Sequence, residues 1–269
     1  MKRTYFAVFG VITLCSILAA TLLLQPASRN LQQAVTDAVN FCEGLREPDA
    51  LLMLDVMHRQ FGIEAFANAL ERYDTQLVSR TDDVSILRIF RRIADYHNTL
   101  QEGDLQAVSA ETDRITVPAL YCDRIALPAN YPAMLEDAAS RGGYMLTHVL
   151  LAWTWLRENG GEVTLPSGFL EDVFRKNAAL INDDNVVTDL ELEAAAFLHL
   201  VGQGALVGFG FVEKVVAVQN LDGGWRLSSA ESDVSNWHPT VLALFLLLHV
   251  KNPASSYPPM LAPASSHGY

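Results

Sequence analysis

From Asn30 onward, apolar residues recur at spacings of three and four, and no sustained period-two alternation bounded by turn residues interrupts them. That period belongs to helices with one buried face rather than to half-buried strands. Helix starts are marked by Pro48-Asp49, by Thr81-Asp82-Asp83 ahead of Ile86, Ile89, Ile93 and Tyr96, and by Pro239 in a first turn before Val241. Gly62, Gly103, Gly160-Gly161 and Gly204 fall where helices should stop, since glycine enters the left-handed region without a Cβ penalty. The pattern predicts about ten helices between residues 30 and 250, with a looser stretch from Thr116 to Tyr131. Residues 252–269, from Asn252 through PASSYPPMLAPASSHGY, have the Pro/Ser composition of a disordered end.

The second half contains a weak repeat. Phe169-Leu-Glu-Asp-Val-Phe174 matches Phe211-Val-Glu-Lys-Val-Val216, and each follows a Gly-containing loop that ends an Ala/Leu-rich segment. Those apolar segments run from Tyr144 to Glu158 and from Asp189 to Val201, and a third, His238 to Val250, follows the second repeat. A helix apolar on nearly all sides must be surrounded by others. The order therefore predicts an inner layer of apolar helices and an outer layer of amphipathic ones.

The first 29 residues differ from the rest. No charge occurs from Tyr5 to Leu24, and about 20 apolar residues in a helix cross a bilayer. The only plausible cleavage site, Gln25-Pro26-Ala27, has Gln where a small residue is wanted, which favours an uncleaved signal anchor over a cleaved signal peptide. Lys2 and Arg3 ahead of the segment place the N-terminus in the cytoplasm and the remainder outside. The predicted organisation is thus a leader over 1–29, a helical domain over 30–251 and a tail over 252–269. The domain is either membrane-anchored outside the cytoplasm or secreted.

Composition narrows the partners. The 31 acidic residues against 19 basic ones give a net charge of -12, and no Lys/Arg cluster forms a phosphate-binding stripe, so no nucleic-acid partner is expected. Arg88, Arg91 and Arg92 read as a solvated face paired with nearby acids. Cys42 and Cys122 are the only cysteines after the leader, compatible equally with one disulfide and with two buried thiols.

Gln219-Asn220-Leu221-Asp222-Gly223-Gly224-Trp225, followed by His238-Pro-Thr-Val-Leu-Ala-Leu244, resembles the Q-x-x-x-G-x-W repeat of the squalene/hopene cyclase and prenyltransferase superfamily. The resemblance spans about thirty residues and implies an all-α fold, an incomplete α/α toroid with inner and outer helices in alternation. In that superfamily the Gln caps a helix end and the Trp stacks beneath it, which implies a structural corner here. The superfamily's catalytic motifs do not carry over. Asn182-Asp183-Asp184-Asn185 is only a distant approach to an Asp-x-Asp-Asp acid motif and reads as a polar loop, and neither Cys42 nor Cys122 lies in a zinc-binding segment.

A toroid directs attention to the starts of its inner helices. There, polar residues stand out: Tyr144 and His148, then Asp189, Glu191 and Glu193, then Trp237 and His238. Glu191 and Glu193 lie about 200 degrees apart around a helix, so only one can face a central pocket. Aligning His148-x-x-x-Ala152 with Glu191-x-x-x-Ala195 selects Glu191, with Glu193 and Asp189 as the alternative. His148, Glu191 and His238 are accordingly the candidate catalytic set, with Tyr144, Trp237 and Glu193 as candidate ligand contacts. Two imidazoles and a carboxylate could hold a divalent metal with an open position or act as acid and base without one. The plain alternatives are a hydrogen-bonded core histidine for His148, a cap or loop residue for His238, and dipole-favoured first-turn acids for the glutamates. Trp153, Trp155 and Phe197 read as core, or with Tyr144 and Trp237 as the wall of an apolar cavity.

Two functions follow. One is a membrane-anchored extracytoplasmic toroid binding a small apolar or peptide-like ligand in its centre, with metal-assisted chemistry as an option. The other is a non-catalytic scaffold of an envelope complex, its centre filled by Trp and Leu.

Overall fold

The computed structural model describes residues 30–264 apart from 82, 231–233 and 255. The apolar leader, with its anchoring and export signals, lies outside the described residues, as do Asp82 and His267. Among the described residues the fold is all-α: eleven α-helices and four short 3-10 segments, with two isolated β-bridges and no strand. The helices are α1 Leu31–Glu43, α2 Pro48–Phe61, α3 Ala69–Ser79, α4 Ser85–Phe90, α5 Glu111–Leu120 and α6 Tyr131–Arg141, then α7 Gly143–Glu158, α8 Phe169–Ala178, α9 Asp189–Leu200, α10 Phe209–Ala217 and α11 Trp237–Lys251. No described helix is long and apolar enough to cross a membrane.

Helix α11 shows why apolar composition rather than amphipathicity marks the interior. No residue from Val241 to His249 is more than 3 % exposed, because α9, α1 and α2 pack around it. Burying each leucine there contributes about 1.5–3 kcal/mol before conformational entropy is charged. Helix α9 is likewise buried between α7 and α11, whereas α8 buries only Val173 and Asn177. Continuing outward from α9, α7 packs on α5 and α6.

The QNLDGGW corner ties α10, α1 and α11 together. Gly223 has φ 91°, and a Cβ there would lie 2.2 Å from the Asp37 carbonyl oxygen of α1. Trp225 donates from Nε1 to the Val215 carbonyl at 2.8 Å and from its backbone to Thr240 Oγ1 at 2.8 Å. Val215 lies in the last turn of α10, where carbonyls lack intrahelical partners, so the indole caps that helix. Gln219 instead donates from Nε2 to the carbonyls of Ala34 and Gly223, at 2.9 and 2.8 Å.

Several local expectations need correction. The stretch from Thr116 is helical to Leu120 although Pro118 lies inside α5, because α5 packs along α7 and this contact outweighs the lost hydrogen bond. Helix α4 ends at Phe90, well short of Tyr96. Arg92 is fully buried, bonded to Asp123 at 3.2 Å and Asn159 at 2.9 Å, so it does not share a solvated face with Arg88 and Arg91. Of the two arrangements left open for the cysteines, Cys42 and Cys122 take that of free thiols, Cys42 buried and Cys122 half-buried, and burial pushes the Cys42 thiol well above its ordinary range. The end of the chain is not loose over residues 256–264: Met260, Leu261 and Ala262 are buried against the ends of α2 and α7.

Candidate functional site

Five helices, α2, α5, α7, α9 and α11, each turn one face toward a cavity of about 250 Å³. The lining follows helical spacing, with a polar residue on each helix succeeded at three or four positions by another residue of the same face. Asp49 is succeeded by Leu52 and Met53 on α2, Asp113 by Thr116 on α5, His148 by Leu151 and Trp155 on α7, Glu193 by Phe197 on α9, and His238 by Val241 and Leu242 on α11. Phe90 at the end of α4, Ile93 in the 3-10 turn after it, and Met260 from the C-terminal segment add to the apolar part. The space exceeds the roughly 150 Å³ that holds a benzene in an engineered apolar cavity. It therefore suits a small ligand with one polar end.

The polar end is a hydrogen-bonded set. Asp189 Oδ1 accepts from His238 Nδ1 at 2.8 Å while its Oδ2 accepts from the Tyr144 hydroxyl at 2.6 Å. His238 Nε2 lies 3.6 Å from Glu193 Oε2. The other Glu193 oxygen accepts from the Thr147 hydroxyl and sits 3.2 Å from His148 Nδ1. His148 Nδ1 also lies 2.8 Å from the Tyr144 carbonyl, which can only accept, so Nδ1 carries the hydrogen. Glu193, 1 % exposed, thus stands between the two imidazoles.

Charge and burial oppose each other here. Burial alone would lower the His238 pKa; the bond and charge of Asp189, with the charges of Glu193 and Asp49, outweigh it and leave His238 raised. Burial raises the Asp49 carboxyl, partly offset by His238. Burial also raises Asp113, reinforced by Asp49 and relieved in part by His148. The Tyr144 hydroxyl is pushed up by burial and by its bond to Asp189. An imidazole and two carboxyls around a single cavity are thus all shifted toward their protonated forms, the carboxyls by burial and the imidazole by its acidic neighbours.

The expected set is only partly assembled. His148 and His238 line the cavity, as do Trp237 and Glu193, but Glu191 does not. Glu191 completes a capping box at the start of α9: Oε2 accepts from the Thr188 backbone and hydroxyl, both at 2.8 Å, and Oε1 from the Asn182 backbone at 2.9 Å. The choice of Glu191 over Glu193 is corrected on that ground, and with it the proposed metal triad of His148, Glu191 and His238. Among the described residues no group of three His, Cys, Asp or Glu side chains has the spacing to hold a metal ion. Tyr144 acts on the site through Asp189, and Trp153 is absent from the lining, unlike Trp155 and Phe197. Asp49 and Asp113 were missed; their signal was an acid in the first turn of α2 and of α5, where Asp113 is accompanied by Glu111, matching the polar starts of the later helices.

No protein-family model, curated protein or solved structure matches this chain.

Proposed function

We propose that this chain is an α/α toroid, exported and held at the membrane by its apolar leader, which binds a small amphipathic ligand in its central cavity and exchanges a proton with it at His238. The observation that carries the reading is the Tyr144–Asp189–His238 chain meeting Glu193 at the polar end of an otherwise apolar cavity. Asp189 fixes Nδ1 as the protonated nitrogen, leaving Nε2 to give or take a proton, which is the arrangement a general acid or base needs. Four carboxyls, Asp49, Asp113, Asp189 and Glu193, stand against two imidazoles there. A basic head on an apolar body is the complementary ligand.

Support for the toroid comes from the burial of α7, α9 and α11 beside the more peripheral α8, from the packing of α11 onto α1 and α2, and from the QNLDGGW corner between them. Metal-free chemistry is favoured because Glu191, the intended third ligand, is engaged by Thr188 and Asn182. The scaffold alternative called for a centre filled by Trp and Leu, and an open cavity favours a ligand instead.

Matched six-carbon probes test this by calorimetry: hexylamine, hexanol and hexanoate. Burying the chain at about 0.8 kcal/mol per methylene sets an upper bound near 5 kcal/mol, so hexylamine should bind with a Kd of roughly 1 mM or somewhat tighter. Hexanoate should bind at least tenfold more weakly, repelled by the carboxyl rim, and Leu151→Trp should abolish binding by filling the cavity. Equal binding of amine and carboxylate, or an unaffected Leu151→Trp variant, would refute the proposal.

A further inference from the structure

Residues 258–262, Pro-Pro-Met-Leu-Ala, lie across the last turns of α2 and α7 in a manner unlike an ordinary chain end. Gln60 Nε2 donates to the Pro258 carbonyl at 2.8 Å, and the Arg59 guanidinium donates to the carbonyls of Pro259 and Met260 at 3.2 and 2.9 Å. Glu158 accepts from the backbones of Met260 and Leu261 at 2.9 and 2.8 Å, and the Ile93 carbonyl accepts from Ala262 at 2.8 Å. Three consecutive N–H groups and three consecutive carbonyls are therefore held, all through the main chain. The Met260 side chain also takes a polar contact, with Trp155 Nε1 donating to its sulfur at 3.4 Å.

The clamp looks built for a backbone. Arg59 is oriented by Asp55, whose Oδ2 accepts from Nε at 2.8 Å. Glu158 closes α7, where the helix dipole disfavours a carboxylate. Burial raises its pKa further, although the backbone donors of Leu261 and Met260 and the charges of Arg59 and Arg157 oppose the shift. An acid placed against both dipole and desolvation is compensated when two N–H groups meet it. Main-chain contacts of this kind accept any extended segment, and specificity then comes from the side-chain positions. Here these are an unbranched apolar residue at 260, then small or apolar residues at 261 and 262, all at most 3 % exposed. The connection to α11 is exposed at Asn252, Pro253, Ala254 and Ser256.

We propose that the groove formed by Arg59, Gln60, Ile93, Trp155 and Glu158 is a binding site for extended apolar peptides, occupied in the resting chain by its own residues 258–262. Because Met260 lines the central cavity, a peptide that replaces the strap would put its own side chain there. The groove shares Trp155 and Met260 with the wall of the central cavity, but the inference does not rest on the acid–base reading, since none of the strap's hydrogen bonds involves His148, Glu193 or His238.

The test uses the full chain with a specific protease site inserted after Ala254, cut once folded. A fluorescein-labelled peptide of residues 257–264 should enter the cut protein and raise its polarisation. The uncut chain should bind it at least ~100-fold more weakly, because the tethered strap competes at an effective concentration in the millimolar range. Arg59→Met in the protein, and aspartate in place of methionine in the peptide, should each weaken binding about tenfold or more. Helical circular dichroism is followed throughout. Loss of helicity on cutting would make the strap part of the folded core and overturn the proposal, as would a cut chain that never exchanges its strap. Equal binding of the aspartate peptide would overturn it too.

Discussion

Replacing Asp189 by asparagine keeps the shape of the side chain and removes one charge from between Tyr144 and His238. An amide oxygen can accept from only one of them in the present geometry. If it stays with the Tyr144 hydroxyl, the amide NH2 faces His238 Nδ1 and demands the opposite imidazole tautomer. A hydrogen bond between charged groups is worth about 1.5–3 kcal/mol. The His238 side chain is 34 % exposed, so solvent screening places this bond toward the lower end of that range. A loss of about 1.5–2 kcal/mol corresponds to a Tm about 3–8 °C lower for a domain of this size. The pH dependence is more diagnostic than the size. His238 is raised in the fold, so its bond to Asp189 stabilises fully below the unfolded value of 6.5 and the gain is lost as pH rises through the folded value. The difference between native chain and variant should therefore be wide at pH 6 and narrow at pH 9, with Asp49 and Asp113 common to both. In parallel, the His238 titration followed by NMR should move down in the variant. A difference that stays constant or widens with pH, or an unmoved His238 titration, would refute the dyad.

Two further outcomes follow from the same contacts. Asp49→Asn should raise Tm at pH 8, because burial penalises the charged carboxyl; the gain should shrink as pH falls and vanish at about pH 3, as the penalty is absent below the unfolded value of 3.8 and complete only above the folded one. Thermal melts of both proteins at the two pH values check this. Gly223→Ala should cost more than about 2 kcal/mol in urea denaturation, since φ is 91° and the new Cβ would meet the Asp37 carbonyl oxygen at 2.2 Å.

What could be read from the chain depended on the range of the forces involved. The interior helices were legible because α11 beyond its first turn, and α9 from Ala194 to Leu198, are apolar around their whole circumference, and only burial by neighbours stabilises such a stretch. Helix α5 was not, because Ile115-Thr116-Val117-Pro118 disfavours helix locally while the compensating contact lies with α7. At the site, the histidines were found from their place at helix starts. The correct glutamate was not, although the sequence carried the deciding sign: Thr188-x-x-Glu191 is a capping-box pattern, which commits Glu191 to the helix end and leaves Glu193 for the cavity. The strap was illegible because the groups that hold its main chain stand far away in sequence, Glu158 by 102 positions and Arg59 by 201, and Pro/Ser composition is silent about them.

The central claim is that one cavity unites His148, Glu193 and His238 with an apolar floor at Trp155. Its most direct test is a hexylamine titration followed through the imidazole nitrogens of His148 and His238 and the indole Nε1 of Trp155. All three should shift along a single saturation curve with one midpoint, and Glu193→Gln should move that midpoint to higher concentration for all three together. Separate midpoints, or imidazole shifts with a silent Trp155, would contradict a single shared site.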